Sequence, residues 1–93
     1  MGHDFFSVTA QPNELARARL GMAVAVRAMG GAVERNRIRR LIRESFRLHQ
    51  ALVPALDIVI GVRPIARGAE AADLRASLER LWDRLKGLKG SAA

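Results

Sequence analysis

The sequence predicts an α/β fold, more narrowly a two-layer α+β sandwich in which a small mixed sheet of three or four strands packs against two helices. Three observations support this. The first quarter of the chain alternates with a period of two, the segment after Gly31 changes to helical spacing, and a short apolar run precedes a second helical segment. The predicted element order is ββαβα, and 93 residues are enough for one domain, residues 1–93.

Two strands are predicted in the first quarter of the chain. Residues 5–10 are aromatic and β-branched, and the turn formers of residues 12–14 follow them. Larger apolar residues alternate with arginine and small residues over residues 17–24, which predicts a second strand that extends as far as Val26. The turn between the two strands predicts a hairpin.

A long helix is predicted from Ala32 to about Leu52, because this stretch contains no Gly or Pro and follows the Gly30-Gly31 break. One half of its helical wheel is mainly apolar and is expected to pack inward. These inward residues are Ile38, Leu41, Ile42, Ser45 and Phe46. The residues expected to face solvent are Asn36, Arg40, Arg43 and Arg47.

A third strand and a second helix complete the predicted fold. Residues 56–62 are too β-branched for a helix and too apolar for an exposed edge, so they predict a buried, central strand. The second helix is amphipathic, and we expect Trp82 in its core-facing stripe. That stripe comprises Leu74, Leu78, Leu81, Trp82 and Leu85. Residues 5–86 are the expected folded core, and residues 87–93 are expected to fray.

The composition is basic and free of cysteine. Sixteen basic residues oppose nine acidic ones, for a net charge of +7. Most of the basic residues are arginine, whose planar fork of donors suits phosphate. The lack of cysteine excludes a disulfide framework, a thiolate zinc site and a cysteine nucleophile. The sequence has neither an export signal nor an apolar run of about 20 residues, so a cytoplasmic protein without membrane contact is expected.

Residues 35–47 carry the strongest functional signal. They contain six arginines and a single acid, Glu44. Arginines three or four positions apart on a helix recur every ~4.5–6 Å along its axis, which is comparable to the spacing of phosphates along a nucleic-acid strand. A merely solvated face would mix charges of both signs, whereas like charges at this spacing repel one another. The pattern therefore favours a surface that binds a polyanion.

No catalytic or metal site is predicted within the protein. His3 and His49 are far apart in the sequence and lack a partner at metal-ligand spacing. Asp57 and Glu44 have no evident partner for acid–base chemistry, so a turn carboxylate or a helix ion pair is the simpler interpretation.

Residues 30–50, GGAVERNRIRRLIRESFRLHQ, closely resemble the arginine-asparagine-arginine helix of the bacterial ribonuclease P protein component. The resemblance continues through LDIVI at residues 56–60 and LERLW at residues 78–82, and it covers nearly the whole chain. It implies the protein subunit of a ribonucleoprotein that removes the 5′ leader from precursor tRNA. It also implies a left-handed crossover from the second strand through the long helix to the third strand, against the usual right-handed rule.

The resemblance further implies the partners and the residues that contact them. The partners are precursor tRNA and the catalytic RNA, which carries out the hydrolysis with its own bound Mg²⁺. The residues expected to contact the catalytic RNA are Arg35, Asn36, Arg37, Arg39, Arg40 and Arg43, with Arg47 extending that surface. Those expected to contact the leader are Phe5, Phe6 and Arg27. Only one of the two phenylalanine rings can stack on an unpaired base there, because adjacent strand residues point to opposite faces.

Two features depart from the family pattern. Only Met1 to Asp4 precede Phe5, where similar proteins usually carry an amphipathic helix that forms one wall of the leader cleft. We therefore expect a bare apolar sheet face that favours self-association. Val26 stands where similar proteins commonly have a basic residue, so we expect weaker leader binding than in full-length relatives.

Two other functions are compatible with the residues. The chain could be a stand-alone RNA-binding or chaperone module without ribonuclease P activity. It could instead use the long helix to bind a membrane or an acidic protein. In that case the apolar residues 56–62 would lack the helix that covers them.

Overall fold

The computed structural model of the protein describes residues 5–23 and 30–87, which form a three-stranded mixed sheet and two α-helices. In chain order the elements are β1 (Phe6–Pro12), β2 (Arg19–Ala23), α1 (Ala32–His49), β3 (Leu56–Val62) and α2 (Ala71–Lys86). Short 3-10 turns at Gln50–Leu52 and Pro64–Ala66 follow α1 and β3. The predicted α+β class and the ββαβα order are confirmed.

The strand order in the sheet is β1-β3-β2. Strand β1 pairs with β3 in antiparallel fashion, with Val8 opposite Ile60, and β2 pairs with β3 in parallel, with Leu20 opposite Ile58. The prediction of a buried central strand is therefore confirmed for β3. The parallel pairing makes α1 the crossover between β2 and β3, and the left-handed sense of that crossover stays a prediction.

The predicted hairpin between β1 and β2 is wrong, because the two strands lie on opposite sides of β3. The central position suits β3, whose residues Leu56, Ile58 and Ile60 are almost fully buried. The loop of residues 13–18 has to span only two strand spacings of about 4.8 Å each, which is within its reach. A turn sequence therefore did not imply direct pairing.

Both helices pack on one face of the sheet and form a single core with it. All five residues predicted to face inward on α1 are buried, as is the predicted stripe of α2. Trp82 joins the two helices, since its indole Nε1 donates a 2.8 Å hydrogen bond to Ser45 Oγ and its ring lies 5.6 Å from that of Phe46. The core prediction for Trp82 is confirmed.

The other face of the described strands is open and mostly polar or small. Its residues include Ser7, Thr9, Gly21 and Gly61, and Val59 is its large exposed apolar side chain, 46% exposed. The expectation of a bare apolar face is therefore wrong for these strands, because strand alternation turns their apolar residues toward the helices. Self-association stays a prediction, and the open face of these strands offers no extended apolar surface that would drive it.

Three sequence-based expectations fall outside the described residues. These are the extension of β2 to Val26, the departure from the family pattern at residues 1–4, and the fraying of the tail beyond Gly87. The single-domain boundaries likewise stay a prediction.

Candidate nucleic-acid interface

The side of α1 that points away from the core presents an exposed row of polar side chains. We call this row the outer crest, and it consists of Asn36, Arg40, Arg43 and Arg47. Within the described part of the chain, none of its three arginines forms an ion pair with a carboxylate. Their guanidinium groups are therefore available to a ligand outside the protein.

Arg39 lies beside the outer crest on the flank of α1 that faces β2, and Arg35 precedes it by about one helical turn on the same side of α1. Both are half-buried. Arg35 Nε is buried without a hydrogen-bond partner among the described residues. Neither side chain forms an ion pair with a described carboxylate. These two arginines add unpaired charge to one side of the crest.

Arg37 differs from the other predicted residues, because the protein itself engages its guanidinium group. Nη1 donates to Glu34 Oε1 at 2.6 Å, and Nη2 donates to the backbone carbonyl of Ala69 at 2.9 Å. These bonds connect the first turns of α1 to the segment that enters α2. Arginine has five N–H donors, so Arg37 retains others, but its first role is to brace the start of α1.

Two grooves flank the outer crest. The β2-side groove, about 620 Å³, lies between α1 and β2, and four arginines line it. The α2-side groove, about 460 Å³, lies between α1 and the start of α2, and it contains Glu44 as well as basic residues. The arginines of the β2-side groove are Arg17, Arg19, Arg39 and Arg43. Those of the α2-side groove are Arg37, Arg40 and Arg75.

An ion pair on the open face of the sheet holds the first residue of β2 against β3. Arg19 binds Asp57 through two hydrogen bonds of 2.8 Å each, and Asn13 Nδ2 donates a third to the same carboxylate at 3.0 Å. The hydrogen bond from Arg19, followed by that from Asn13, lowers the pKa of Asp57 to about 2, and the pKa of Arg19 is raised by the same pair. Asp57 is therefore ionised at neutral pH and acts as a structural anchor.

The three residues expected at the leader have different positions. Phe6 is fully buried in the core, and its ring meets that of Phe5 edge-on at 6.3 Å. Phe5 is only half-buried, so it is the member of the pair whose ring keeps accessible surface. Arg27 lies outside the described residues.

Residues 5–23 and 30–87 contain no cluster of three His, Asp or Glu side chains that could hold a metal ion. His49 instead lies against α2, with Nδ1 3.1 Å from Lys86 Nζ and Nε2 3.6 Å from Glu79 Oε1. Neither α1 nor α2 has the continuous apolar length that a membrane-spanning helix requires.

Sequence reasoning missed three arginines that line the grooves, Arg17, Arg19 and Arg75. The alternation of Arg17 and Arg19 with apolar residues indicated only that they belong to or precede a strand. Their proximity to α1 follows from the placement of β2 at the side of β3 next to that helix, and the local sequence does not encode this placement.

Comparison with known proteins agrees with this geometry. A family model described as Ribonuclease P matches residues 1–86. The ribonuclease P protein component of Halorhodospira halophila is 43% identical over 83 residues, which are 89% of this chain and 68% of the relative. That of Thioalkalivibrio sulfidiphilus is 42% identical over 80 residues, which are 86% of this chain and 67% of the relative.

Solved structures give the same result. The RNase P protein of Staphylococcus aureus superposes with a TM-score of 0.84 at 33% identity, over 90% of this chain and 77% of that one. The RNase P protein of Thermotoga maritima gives a TM-score of 0.81 at 28% identity, over 97% of this chain and 83% of that one. Sequence, fold and the basic face of α1 together assign the chain to the ribonuclease P protein family.

Proposed function

We propose that this protein is the accessory subunit of ribonuclease P and that it docks on the catalytic RNA through the outer crest of α1 and its β2-side flank. Ribonuclease P is the endonuclease that processes the 5′ end of tRNA. The observation that carries the proposal is the row of exposed arginines without carboxylate partners among the described residues. Arg37 adds to this surface mainly by holding the start of α1 in place.

Charge supplies the affinity in this proposal. Each arginine that neutralises a phosphate releases counterions from the RNA, so binding weakens as salt concentration rises. The planar guanidinium group can also bind two phosphate oxygens at once, which fixes the orientation of the protein on the RNA. A rigid helix presents these groups at fixed spacing, and the buried inward face of α1 keeps the helix in place.

The hydrolysis itself belongs to the RNA in this account. The Asp57 carboxylate is engaged by Arg19 and Asn13, and His49 lies against Lys86 and Glu79 of α2, so neither is proposed as a catalytic residue. The magnesium ions that the reaction uses would be held by the RNA, and the protein would contribute positioning alone. This proposal rests on membership of the family and names no catalytic residue in the chain.

The open sheet face is the proposed site for the 5′ leader of precursor tRNA. Phe5 can offer its ring to an unpaired base, and such stacking tolerates any base. Phe6 has no accessible surface for this role. Arg27 stays part of the proposal through the family resemblance. Because Val26 stands where relatives commonly have a basic residue, lower leader affinity than in those relatives is expected, and a titration of leaders of different lengths at fixed salt would measure it.

Reconstitution tests the proposal directly. The chain is mixed with the catalytic RNA and precursor tRNA at a low magnesium concentration at which the RNA alone is nearly inactive. We expect the chain to restore cleavage at the 5′ leader, and Arg40→Ala together with Arg43→Ala to reduce that rescue. Tight RNA binding without any rescue would identify a stand-alone RNA-binding module instead.

A control variant keeps this test specific. Arg84 is exposed on α2. It lies on the opposite side of that helix from Arg75, which lines the α2-side groove. Arg84→Ala also removes a positive charge, but away from the outer crest. We expect this variant to rescue cleavage as the unaltered chain does.

A further inference from the structure

We propose that the β2-side groove binds the phosphodiester backbone of an RNA strand and that Arg17, which lies outside α1, is an additional RNA-binding residue. This inference rests on the proposed function, because it extends the same RNA surface from the helix to the loop between β1 and β2. The groove brings Arg17 together with Arg39 and Arg43 of α1. Arg43 belongs to both the groove and the outer crest, so the two surfaces are continuous.

The backbone around Arg17 is fixed from two sides. Gln50, just after α1, donates from Nε2 to the carbonyl of Ala18 at 3.0 Å. Asn13 donates from Nδ2 to the carbonyl of Arg17 itself at 3.3 Å. The loop is therefore connected both to the end of α1 and to the end of β1, while the Arg17 side chain stays exposed.

Asn13 organises this loop from a buried position. Only 8% of the residue is exposed, and its backbone N–H donates to Ala55 at 3.1 Å. Its Oδ1 accepts from the backbone N–H of Leu15 at 2.9 Å, while its amide also reaches Asp57. A loop that is already ordered loses little conformational freedom when a ligand binds to it, which favours binding.

The charge of the groove favours a polyanion. Among the described residues that line it, none is acidic, and Phe46 and Leu20 contribute apolar surface. Asp57 neutralises Arg19 from the sheet face but leaves Arg17, Arg39 and Arg43 without a carboxylate partner in the described chain. A cleft lined by charges of one sign concentrates its field, which attracts and holds an anionic strand.

The same groove has one competing occupant. Strand β2 pairs on one side only within the described sheet, so an acidic peptide could add to its free edge as another strand. We favour RNA because the groove merges with the outer crest at Arg43, so a strand that contacts the crest can continue into the groove. Peptide binding is an outcome of the experiment below.

The test compares Arg17→Gln with Arg84→Gln, which removes an equal charge from the exposed surface of α2. Affinity for the catalytic RNA is measured across a series of salt concentrations. A lost phosphate contact lowers the steepness of the log–log salt dependence by about 0.7 to 0.9 and lowers affinity roughly 5- to 8-fold at about 0.1 M salt. We expect this change for Arg17→Gln and less than about a 2-fold change for Arg84→Gln. Thermal unfolding confirms that both variants are folded.

Equal behaviour of the two variants would overturn the inference. Arg40→Gln, on the outer crest but outside the β2-side groove, separates this failure from failure of the proposed function. If Arg40→Gln weakens RNA binding and Arg17→Gln does not, the crest binds RNA and the groove does not. If neither does, both proposals fail. A glutamate-rich peptide whose binding depends on Arg17 while RNA binding does not would assign the groove to a peptide and overturn the RNA inference.

Discussion

The inward and outward faces of α1 belong to the same helix of 18 residues. They differ in whether their side chains find partners within the described protein. On the inward face, Ile38 and Ile42 are fully buried and Ser45 accepts the hydrogen bond of Trp82. On the outward face, Arg40, Arg43 and Arg47 have no carboxylate partner among the described residues. The inward face finds its partners within the described chain, whereas the charges of the outward face are left without a carboxylate partner there.

This difference separates stability from binding. Like charges three or four residues apart destabilise a helix by a few tenths of a kcal/mol per pair, so the outward face slightly opposes folding of the free protein. A polyanion removes that repulsion. Substitutions on the two faces should therefore change different measurements, and the predictions below use this separation.

The largest expected effect is at Trp82 of α2, which packs against the inward face of α1. Trp82→Ala removes a fully buried ring and its hydrogen bond to Ser45, and should lower the free energy of unfolding by about 3–5 kcal/mol. Urea denaturation measures this change. Leu48→Ala is the control, because Leu48 is also a large apolar residue of a helix, α1, but is 81% exposed. This variant should change the free energy of unfolding by less than about 0.5 kcal/mol. Similar losses for the two variants would contradict the assignment of Trp82 to the core.

A smaller effect, on binding alone, is expected on the outward side. Replacing Arg40 and Arg43 together by Ala removes two proposed phosphate contacts and should weaken RNA binding roughly 25- to 60-fold at about 0.1 M salt. Because both side chains are exposed and unpaired with described carboxylates, stability should change by less than about 0.5 kcal/mol. Binding titrations and urea denaturation of the same variant check both expectations. A large loss of stability with unchanged RNA binding would contradict the assignment of binding to the outward face and of stability to the inward face.

The smallest effect concerns Asp57, which lies on neither face of α1 but anchors β2 beside it. Hydrogen bonds from Arg19 and Asn13 lower the pKa of Asp57 from 3.8 to about 2. A carboxyl group with a depressed pKa stabilises the fold above its unfolded-state pKa, and this contribution is lost as the pH falls through the folded-state value. Asp57→Asn should therefore be less stable than the unaltered protein at neutral pH, with the difference shrinking between about pH 4 and pH 2.

Urea denaturation of both proteins over this pH range measures that difference. The effect should be modest because the ion pair is largely exposed to solvent. A difference that does not vary with pH would show that the ionised carboxylate of Asp57 does not contribute to the fold.

Sequence patterns predicted the features that depend on local periodicity. The five inward residues of α1, the central position of β3 and the burial of Trp82 follow from helical spacing and from apolar runs. The strand order did not follow, because the loop of residues 13–18 is compatible both with a hairpin and with a connection across β3. Turn chemistry alone does not distinguish the two.

The candidate site was predictable to a similar degree. The outer crest could be derived from the arginines of one helix. The bracing of Arg37 by the Ala69 carbonyl and the approach of Arg17 to Arg43 could not, because each joins segments that are distant in the sequence. The missing information is tertiary packing, which places β2 and the segment before α2 on either side of α1.

The salt dependence of binding between the unaltered chain and the catalytic RNA tests the central claim most directly. If the six arginines of residues 35–47 contact about six phosphates, the logarithm of the association constant should fall with the logarithm of salt concentration with a slope of about −4 to −5. A slope near zero would show that the exposed arginines do not neutralise RNA phosphates, and it would contradict the account.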